Sequence, residues 1–434
     1  MHEYPEKYKS VDVRVGGFHI AENFLGSIGF FMKESGIEDI IVESGLCKRG
    51  TANKVIAGKD YYKMFRCHCL VSEAMSGLAW DAFEDWLDAE GRHEILDFGD
   101  SLSDLYEALK NKDSVVTLSS CIHIMLTLED ICPEWEEFVA TLPKTAKFWL
   151  MHTEMTNIIK RFVKAERTSD WEGHLKEIEN MLPYTVVSKH TNYMSCLPLY
   201  LKEMKELPVK HSEVYANFMR GHFAVHRLKG KFNGTWTDMA LEQTYNKEGK
   251  TSLLKGISLN PAAREKYIKA APFLTTISEG LKEMAQIRHT PASHHHGQST
   301  KQILEEQALV EKIRKIIKEN MINPFISTNL DDLINISTGQ KAQSTEVINA
   351  RQLGIEAMEK AEKEGSSKII PPSVTTFSIK TKPVPSKEKS LVRIYQEESC
   401  VTRTLCFLQS CDEQTRKKAF SHEWTNYPSS LFEV

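Results

Sequence analysis

The stretch Val11–Lys33, VDVRVGGFHIAENFLGSIGFFMK, decides the fold class, because its pattern changes from that of a strand to that of a helix. Apolar and polar residues alternate over Val11–Val15, which predicts a short strand, and Gly16-Gly17 predicts a turn. From Phe18 onward apolar residues recur at intervals of three and four, which predicts an amphipathic helix. A strand that leads into a helix favours an α+β protein.

Helical periodicity dominates the chain as far as about Pro208, so the protein is expected to be mainly α-helical. The clearest predicted helices are Tyr61–Leu87, Val115–Val139, Thr145–Val163, Pro261–Ile287 and Lys301–Asn320. Residues 221–236 interrupt the pattern and predict a short hairpin, and another helix is expected from about Trp236. Two further helical stretches are expected before Glu364.

Composition narrows the class of protein. The net charge is −4 over 434 residues, which does not indicate a protein that coats nucleic acid through its bulk charge. The polar N-terminus predicts no secretory signal, and no apolar run is long enough to predict a membrane span. Nine scattered cysteines, an odd number, favour a reducing compartment. A nuclear or cytoplasmic location is therefore expected, with no membrane partner.

Two carboxylates, Asp238 and Glu242, lie four residues apart in the stretch GTWTDMALEQTYN, which begins at Gly234. On a helix they share one face and repel each other. Asp238 also completes a capping box that begins at Thr235, which explains the acid as a helix cap. The alternative is a metal site, because a metal ion offsets the repulsion between neighbouring carboxylates. Capping leaves Glu242 unexplained, so both interpretations stay open.

The segment around these acids is the most basic in the chain. Between Arg220 and Lys269 there are ten basic and four acidic residues, a net charge of +6. Cations that surround an acidic pair are typical of metal-dependent phosphoryl transfer, in which the cations contact phosphates. The predicted nucleic-acid contacts are Arg227, Lys229, Lys231, Lys247 and Lys255.

Four other groups attract attention, and a simpler explanation is favoured for each. Cys67-His-Cys69 lies in a helical pattern, where the two thiols point to different faces, so buried thiols are favoured over a zinc site. His294-His-His296 lies in a predicted linker. His19 follows the predicted strand at a switch from strand to helix, and His190-Thr-Asn-Tyr193 is expected to begin a helix as its cap.

Three long motifs occur together and in order: Pro5–Gly45, His190–Arg227 and Gly234–Asn246. As a set they resemble a group of uncharacterised animal proteins that are similar to transposon-encoded transposases of the hAT and Kyakuja-Dileera-Zisupton types. The resemblance covers about residues 4–288, and more weakly Asn323–Ser344 and Tyr427–Val434.

This resemblance implies a partial ribonuclease H-like core with a large all-helical insertion. In such proteins three acids bind two divalent metal ions for strand cleavage and transfer. Glu242, with Asp238 as a second candidate, matches the closing acid. Glu242 would be the metal ligand, and His19 lies near a second polar position. The opening strands and first Asp of the family pattern have no match here, so the chain is expected to be an internal fragment or a decayed copy.

The expected organisation follows from these patterns. It comprises a partial core (1–35), a helical insertion (36–208), a closing core segment (209–288), a linker (289–300), a helical region (301–364), a disordered Lys/Pro-rich segment (365–390) and a C-terminal segment (391–434). The expected function is that of a transposase-like protein without catalysis that retains weak DNA binding. No cofactor is expected in this chain, whereas a complete site would take Mg²⁺ or Mn²⁺. The alternatives are a co-opted helical scaffold or partner-binding protein and a helical protein with no nucleic-acid role. Self-association is also expected, because the predicted strand would leave an unpaired edge.

Overall fold

The computed structural model describes residues 14–96, 98–111, 114–226, 232–241, 300–326, 332–365 and 369–375, with isolated positions at 269–285, 377 and 413–414. The chain divides into two compact units, Met1–Ser378 and Ile379–Val434. The second unit contains only Glu413 and Gln414 among the described residues, so the architecture below is that of the first.

The first unit is mainly α-helical in its described residues. Its helices are α1 (Gly17–Met32), α2 (Ile37–Glu43), α3 (Arg49–Ile56), α4 (Tyr61–Ala89), α5 (Ser101–Asn111), α6 (Ser114–Thr141), α7 (Lys144–Thr168), α8 (Trp171–Val187), α9 (Thr191–Lys210), α10 (Ser212–Met219), α11 (Thr237–Leu241), α12 (Thr300–Asn320) and α13 (Ala350–Lys363). Short 3₁₀ turns occupy His93–Leu96 and Glu346–Asn349. Strands β1 (Val225–His226) and β2 (Gly234–Thr235) form an antiparallel pair, with Val225 opposite Thr235.

The predicted helical character is confirmed, and α4, α6, α7 and α12 begin and end within a few residues of the predicted bounds. The hairpin predicted over 221–236 is also present as β1–β2. The helix predicted over Pro261–Ile287 lies almost entirely outside the described residues.

Two predictions differ from the structure. Val11–Val13 lie outside the described residues, and Arg14 and Val15 are not in a strand. The region 301–364 was expected to be helical, but within it residues 332–345 form a loop with an isolated bridge between Ile334 and Lys341. The side chain of Asn335 explains this loop, because its Oδ1 accepts hydrogen bonds from the backbone N–H groups of residues 337 and 338 and so favours a turn.

Helix α1 lies in the core and is covered by α3, α4, α7, α8 and α11. Its apolar residues at the predicted spacing, including Phe24, Leu25, Ile28 and Phe31, are almost completely buried. Gly29 packs against the carbonyl of Ile56 at the end of α3, so closely that any side chain at this position would overlap it. The sequence pattern of α1 is therefore that of a helix buried on most of its surface.

Helix α12 joins the structure through α4. The guanidinium of Arg314 donates to both carboxylate oxygens of Asp81, at 2.8 and 2.9 Å, and Lys318 contacts the same acid. The apolar side chains of Ile313 and Ile317 on α12 are completely buried. Helix α13 packs against α8. Helices α12 and α13 thus contribute to the same core as the N-terminal helices.

Helices α5 and α6 pack along each other, and we call this pair the α5–α6 hairpin. Several large apolar side chains on both of its helices are about half or more exposed: Leu102, Tyr106, Ile122, Met125 and Leu126. Helix α6 has no Asp, Glu, Lys or Arg from Ser114 to Leu128. Among the described residues, no helix has both the length and the apolar character needed to cross a bilayer.

A pair of histidines lies in the core between α4 and α7. His68 Nδ1 and His152 Nε2 are 3.0 Å apart, and both side chains are completely buried. The remaining ring nitrogen of each has no hydrogen-bond partner. Burial lowers the pKa of His68 to about 4, and burial together with the neighbouring ring lowers the pKa of His152 well below its ordinary value. Both rings are therefore neutral in the folded protein near pH 7.

This pair predicts a loss of stability in mild acid. The unfolded chain takes up protons on both histidines below about pH 6.5, whereas the folded chain does not until much lower pH. The free energy of unfolding should therefore be highest above about pH 6.5 and fall by up to about 1.4 kcal/mol per pH unit for each histidine below it. Urea denaturation at several values between pH 7.5 and 5 measures this slope.

Carboxylates also contribute to the slope, so a comparison of variants isolates the histidines. His68→Leu/His152→Leu should flatten the dependence of the free energy of unfolding on pH, because up to two protons are no longer taken up on unfolding. The double variant should still fold, because replacing both partners of a buried pair leaves no unpaired polar group. The exposed His222 provides the control, and His222→Leu should keep most of the slope. Equal slopes in the wild type and the double variant would exclude the histidine pair as the source.

Candidate functional site

The carboxylate of Asp238 caps the start of α1, over two hundred residues away in the sequence. Its Oδ1 accepts from the backbone N–H of Phe18 at 3.3 Å, and its Oδ2 accepts from that of His19 at 3.1 Å. Gly16, the residue before α1, has no side chain with which to do this. An acid at this place also interacts favourably with the helix dipole. Asp238 thus satisfies two of the four unpaired N–H groups of α1.

The two glycines before α1 make this contact sterically feasible. A side chain at Gly16 would overlap the carboxylate of Asp238. A Cβ at Gly17 would lie 2.8 Å from Oε1 of Glu166 and 2.9 Å from the ring of Trp236, which is closer than real contacts allow. Gly16-Gly17 therefore lets the start of α1 pack directly against α7 and α11.

Polar side chains from α1 and the start of α9 gather around this helix end. We call them, with Asp238, the α1–α9 polar cluster: His19, Glu22, Asn23, His190, Tyr193 and Asp238. Asn23 Nδ2 lies 2.9 Å from His190 Nδ1, and His19 Nδ1 lies 3.7 Å from a carboxylate oxygen of Glu22. All six side chains are partly exposed. The structure thus brings together three groups that the sequence places far apart: His19, His190–Tyr193 and Asp238.

The electrostatics of this cluster favour neutral hydrogen-bonding groups beside carboxylates. Burial lowers the pKa of His190, although a hydrogen bond to the backbone of Gly26 opposes this shift. Burial also raises the pKa of Tyr193, as do the nearby Cys196, Asp238 and Glu22. The imidazole is therefore mostly neutral and the phenol fully protonated near pH 7. Such a surface suits polar recognition better than binding of a highly charged anion.

Beneath the start of α1 lies a buried chain of polar side chains. His174 on α8 contacts Glu166 on α7 through Nδ1 and Oε1, which are 2.6 Å apart. Its Nε2 lies 3.1 Å from the hydroxyl of Tyr200 on α9. All three side chains are at most 3 % exposed. These hydrogen bonds therefore fix α7, α8 and α9 relative to one another. Because the three side chains are buried, a ligand in solvent does not reach them.

Arg14 lies next to these buried polar side chains. Its guanidinium donates to the carbonyl of Phe223 at 2.6 Å and lies 5.2–5.4 Å from the ring centroids of Trp171, Phe218 and Phe223. Burial raises the pKa of Tyr200 to about 12, and the nearby Arg14 opposes this shift. A cation enclosed by aromatic rings and joined to a buried network stabilises the packing of this region.

The base of the β1–β2 hairpin is attached to the end of α7. Arg167 donates to the carbonyl of Gly234 at 3.1 Å, and its guanidinium lies 5.7 Å from the ring centroid of Phe232. His226 contacts Ser169 and Asn233 through its two ring nitrogens, at 3.0 and 2.7 Å. Phe232 is 44 % exposed. The hairpin base thus presents a partly exposed aromatic ring next to a cation.

The structure describes only part of the predicted site. Glu242, Arg227, Lys229, Lys231, Lys247 and Lys255 lie outside the described residues, as does His294-His-His296. Within the described part of the chain, no three or more His, Cys, Asp or Glu side chains are grouped as metal ligands. The oxygens of Asp238 accept hydrogen bonds from the backbone N–H groups of Phe18 and His19. The predicted capping function is present, but it serves α1.

Sequence reasoning missed Arg14, Glu166, His174 and Tyr200. A signal existed for Glu166, which lies four residues after the buried Phe162 and so falls on the apolar face of α7. An acid in such a position indicates a buried partner. The identity of that partner depends on how three helices pack together, which periodicity does not reveal.

The cap by Asp238 predicts a graded loss of stability. Asp238→Ala removes both acceptors and should lower the free energy of unfolding by about 0.5–2 kcal/mol. Asp238→Asn retains one side-chain oxygen as an acceptor, so it should lose less. Urea denaturation at pH 7 measures both variants, and two variants that match the wild type within about 0.3 kcal/mol would contradict the cap.

Comparison with known proteins gives a family but no activity. No curated protein and no solved structure matches the chain. The family model described as "Domain of unknown function (DUF8702)" matches residues 1–423. Because that match covers almost the whole chain, the protein belongs to the DUF8702 family.

Proposed function

We propose that this protein is a transposase-like protein, derived from a mobile element, that binds DNA through the β1–β2 hairpin and does not cleave it. The proposal includes a partial ribonuclease H-like core, which the resemblance of the three sequence motifs to transposases implies. The observation that carries it is the hairpin base, where Phe232 is partly exposed beside Arg167.

The charge of the hairpin supports DNA as the ligand. From Arg220 to Thr237 the sequence has four Lys or Arg residues, two histidines and no acid. Three of these cations, Arg227, Lys229 and Lys231, belong to the connection between β1 and β2. Cations attract phosphates, and an exposed aromatic ring provides a surface on which an unpaired base stacks. This combination favours binding that does not depend on base sequence.

The role of Asp238 supports a protein that binds without cleaving. Metal-dependent strand transfer needs carboxylates free to hold divalent ions. Asp238 instead accepts hydrogen bonds from Phe18 and His19, and these contacts stabilise the buried helix α1.

DNA binding is expected to be weak and strongly dependent on salt. The affinity of the purified chain for duplex DNA should fall by about 0.9 log units per log unit of salt for each phosphate contacted. Lys229→Glu/Lys231→Glu should weaken binding to all sequences alike. Phe232→Ala should weaken binding to single-stranded DNA about 5- to 100-fold, because it removes one stacked base. Fluorescence anisotropy at several salt concentrations measures these effects.

A matched control makes the same change of charge on another helix. Lys360 and Lys363 lie on α13, outside the hairpin, so Lys360→Glu/Lys363→Glu should bind DNA nearly as well as the wild type. Binding that is absent at low salt, insensitive to salt, or reduced equally by both double variants would refute the hairpin as the DNA-binding element.

A second function, that of a partner-binding scaffold, is favoured by the α5–α6 hairpin. A helix that is apolar around most of its circumference is normally buried, yet α6 exposes Ile122, Met125 and Leu126. We propose a second copy of this chain as its partner. Two uncharged α6 surfaces do not repel each other, and two hairpins together make a four-helix bundle.

Self-association through this hairpin is expected in sedimentation velocity experiments. The wild type should form a dimer whose fraction rises with concentration, and Ile122→Glu/Met125→Glu should shift it to the monomer by placing charges in the interface. Tyr62, an exposed aromatic residue on α4, provides the control, and Tyr62→Glu should leave the dimer intact. A wild type that stays monomeric at high concentration would refute this interface.

A further inference from the structure

Two cysteines from separate elements are in contact near the start of α4. The Sγ atoms of Cys47 and Cys67 are 3.9 Å apart. Cys47 lies between α2 and α3 and is partly exposed, whereas Cys67 lies in the second turn of α4 and is buried. Both are free thiols in the structure. Sulfur atoms at this distance are in van der Waals contact without a bond between them.

The surrounding backbone allows these sulfurs to come closer. A disulfide requires about 2.05 Å between sulfurs, so the pair must approach by about 2 Å. Cys67 is held in a regular helix, but Cys47 belongs to the non-helical segment between α2 and α3. Its backbone is anchored through a 3.3 Å hydrogen bond from Cys47 N–H to the carbonyl of Ile41. The approach requires a change of side-chain rotamer together with a shift of this segment.

The two thiols differ in access, which gives them different roles. An oxidant in solution reaches Cys47 first, because only this sulfur belongs to a partly exposed residue. Burial, with the neighbouring Cys47, raises the pKa of Cys67 to about 12, so Cys67 remains a protonated thiol near pH 7.

We propose that Cys47 and Cys67 form a reversible oxidation site that takes peroxides as its oxidant. Hydrogen peroxide oxidises the Cys47 sulfur to a sulfenic acid and releases one water. The sulfur of Cys67 then attacks the Cys47 sulfur, the S–O bond breaks, and the departing hydroxide takes the thiol proton as a second water. The two sulfurs together lose two electrons, and the peroxide gains two.

The new bond would connect segments that both contribute to the core around α1. It would tie the chain between α2 and α3 to α4 and close a loop between residues 20 positions apart in the sequence. A covalent link of this length reduces the conformational freedom of the unfolded chain. Oxidation should therefore make the first unit more resistant to unfolding, and reduction by a thiol should reverse the effect.

The test treats the full chain with a few equivalents of hydrogen peroxide, followed by digestion without reductant and mass spectrometry. We expect a linked pair of peptides that contains Cys47 and Cys67, with a mass 2 Da below the sum of the separate thiol peptides. Fragmentation must assign the link to Cys67, because Cys69 lies in the same peptide. Dithiothreitol should abolish the link. The melting temperature should rise by about 2–5 °C on oxidation.

Variants separate this site from general oxidation. Cys47→Ser should lose both the linked peptides and the rise in melting temperature, and Cys132→Ser, at an exposed cysteine on α6, should keep both. Detection of the link in the wild type does not depend on the folding of any variant. Oxidation of Cys132, or of Cys47 to a sulfinic acid, while Cys67 remains an unlinked thiol, would overturn the proposal.

Discussion

The start of α1 must pack against α7 and α11 while its backbone N–H groups remain satisfied, and much of the structure depends on how this is achieved. A buried helix end without partners for its N–H groups costs free energy at each unpaired group. Here the acceptors are the carboxylate oxygens of Asp238, which lies on the short helix α11 directly after the β1–β2 hairpin. The hairpin, in turn, is held to the end of α7 by Arg167. The cap of one helix therefore links the first described residues to a segment more than two hundred positions later.

A second layer of polar contacts supports this packing from below. Glu166, His174 and Tyr200 exchange hydrogen bonds inside an otherwise apolar core, and the histidine pair on α4 and α7 does the same at another place. Buried polar groups are costly unless they are paired. Each of these contacts therefore selects one relative position of its helices over others that would bury similar apolar area.

The sequence predicted those parts of the fold that depend on local periodicity. The bounds of α4, α7 and α12 follow from apolar spacing, and glycine and polar residues indicated the hairpin. The loop at 332–345 was not predicted, because it also depends on hydrogen bonds to Glu34, Ser35 and Thr145, which are far away in the sequence. The role of Asp238 was half predicted. Its sequence motif indicates a cap, but which helix receives that cap depends on tertiary packing. The contact between Cys47 and Cys67 likewise has no counterpart in sequence spacing.

The segment after residue 332 is synthesised late, yet it contacts the N-terminal helices. The side chain of Asn335 donates to the carbonyl of Glu34 at 2.7 Å, and the backbone N–H of Ile336 donates to that of Ser35 at 3.0 Å. Phe377 packs against Phe148 in the same core. More than three hundred further residues are therefore synthesised before the N-terminal helices can make these last contacts. During that interval their apolar faces are open to chaperones and to other nascent chains, so a message truncated before this segment would yield a protein that is prone to aggregate.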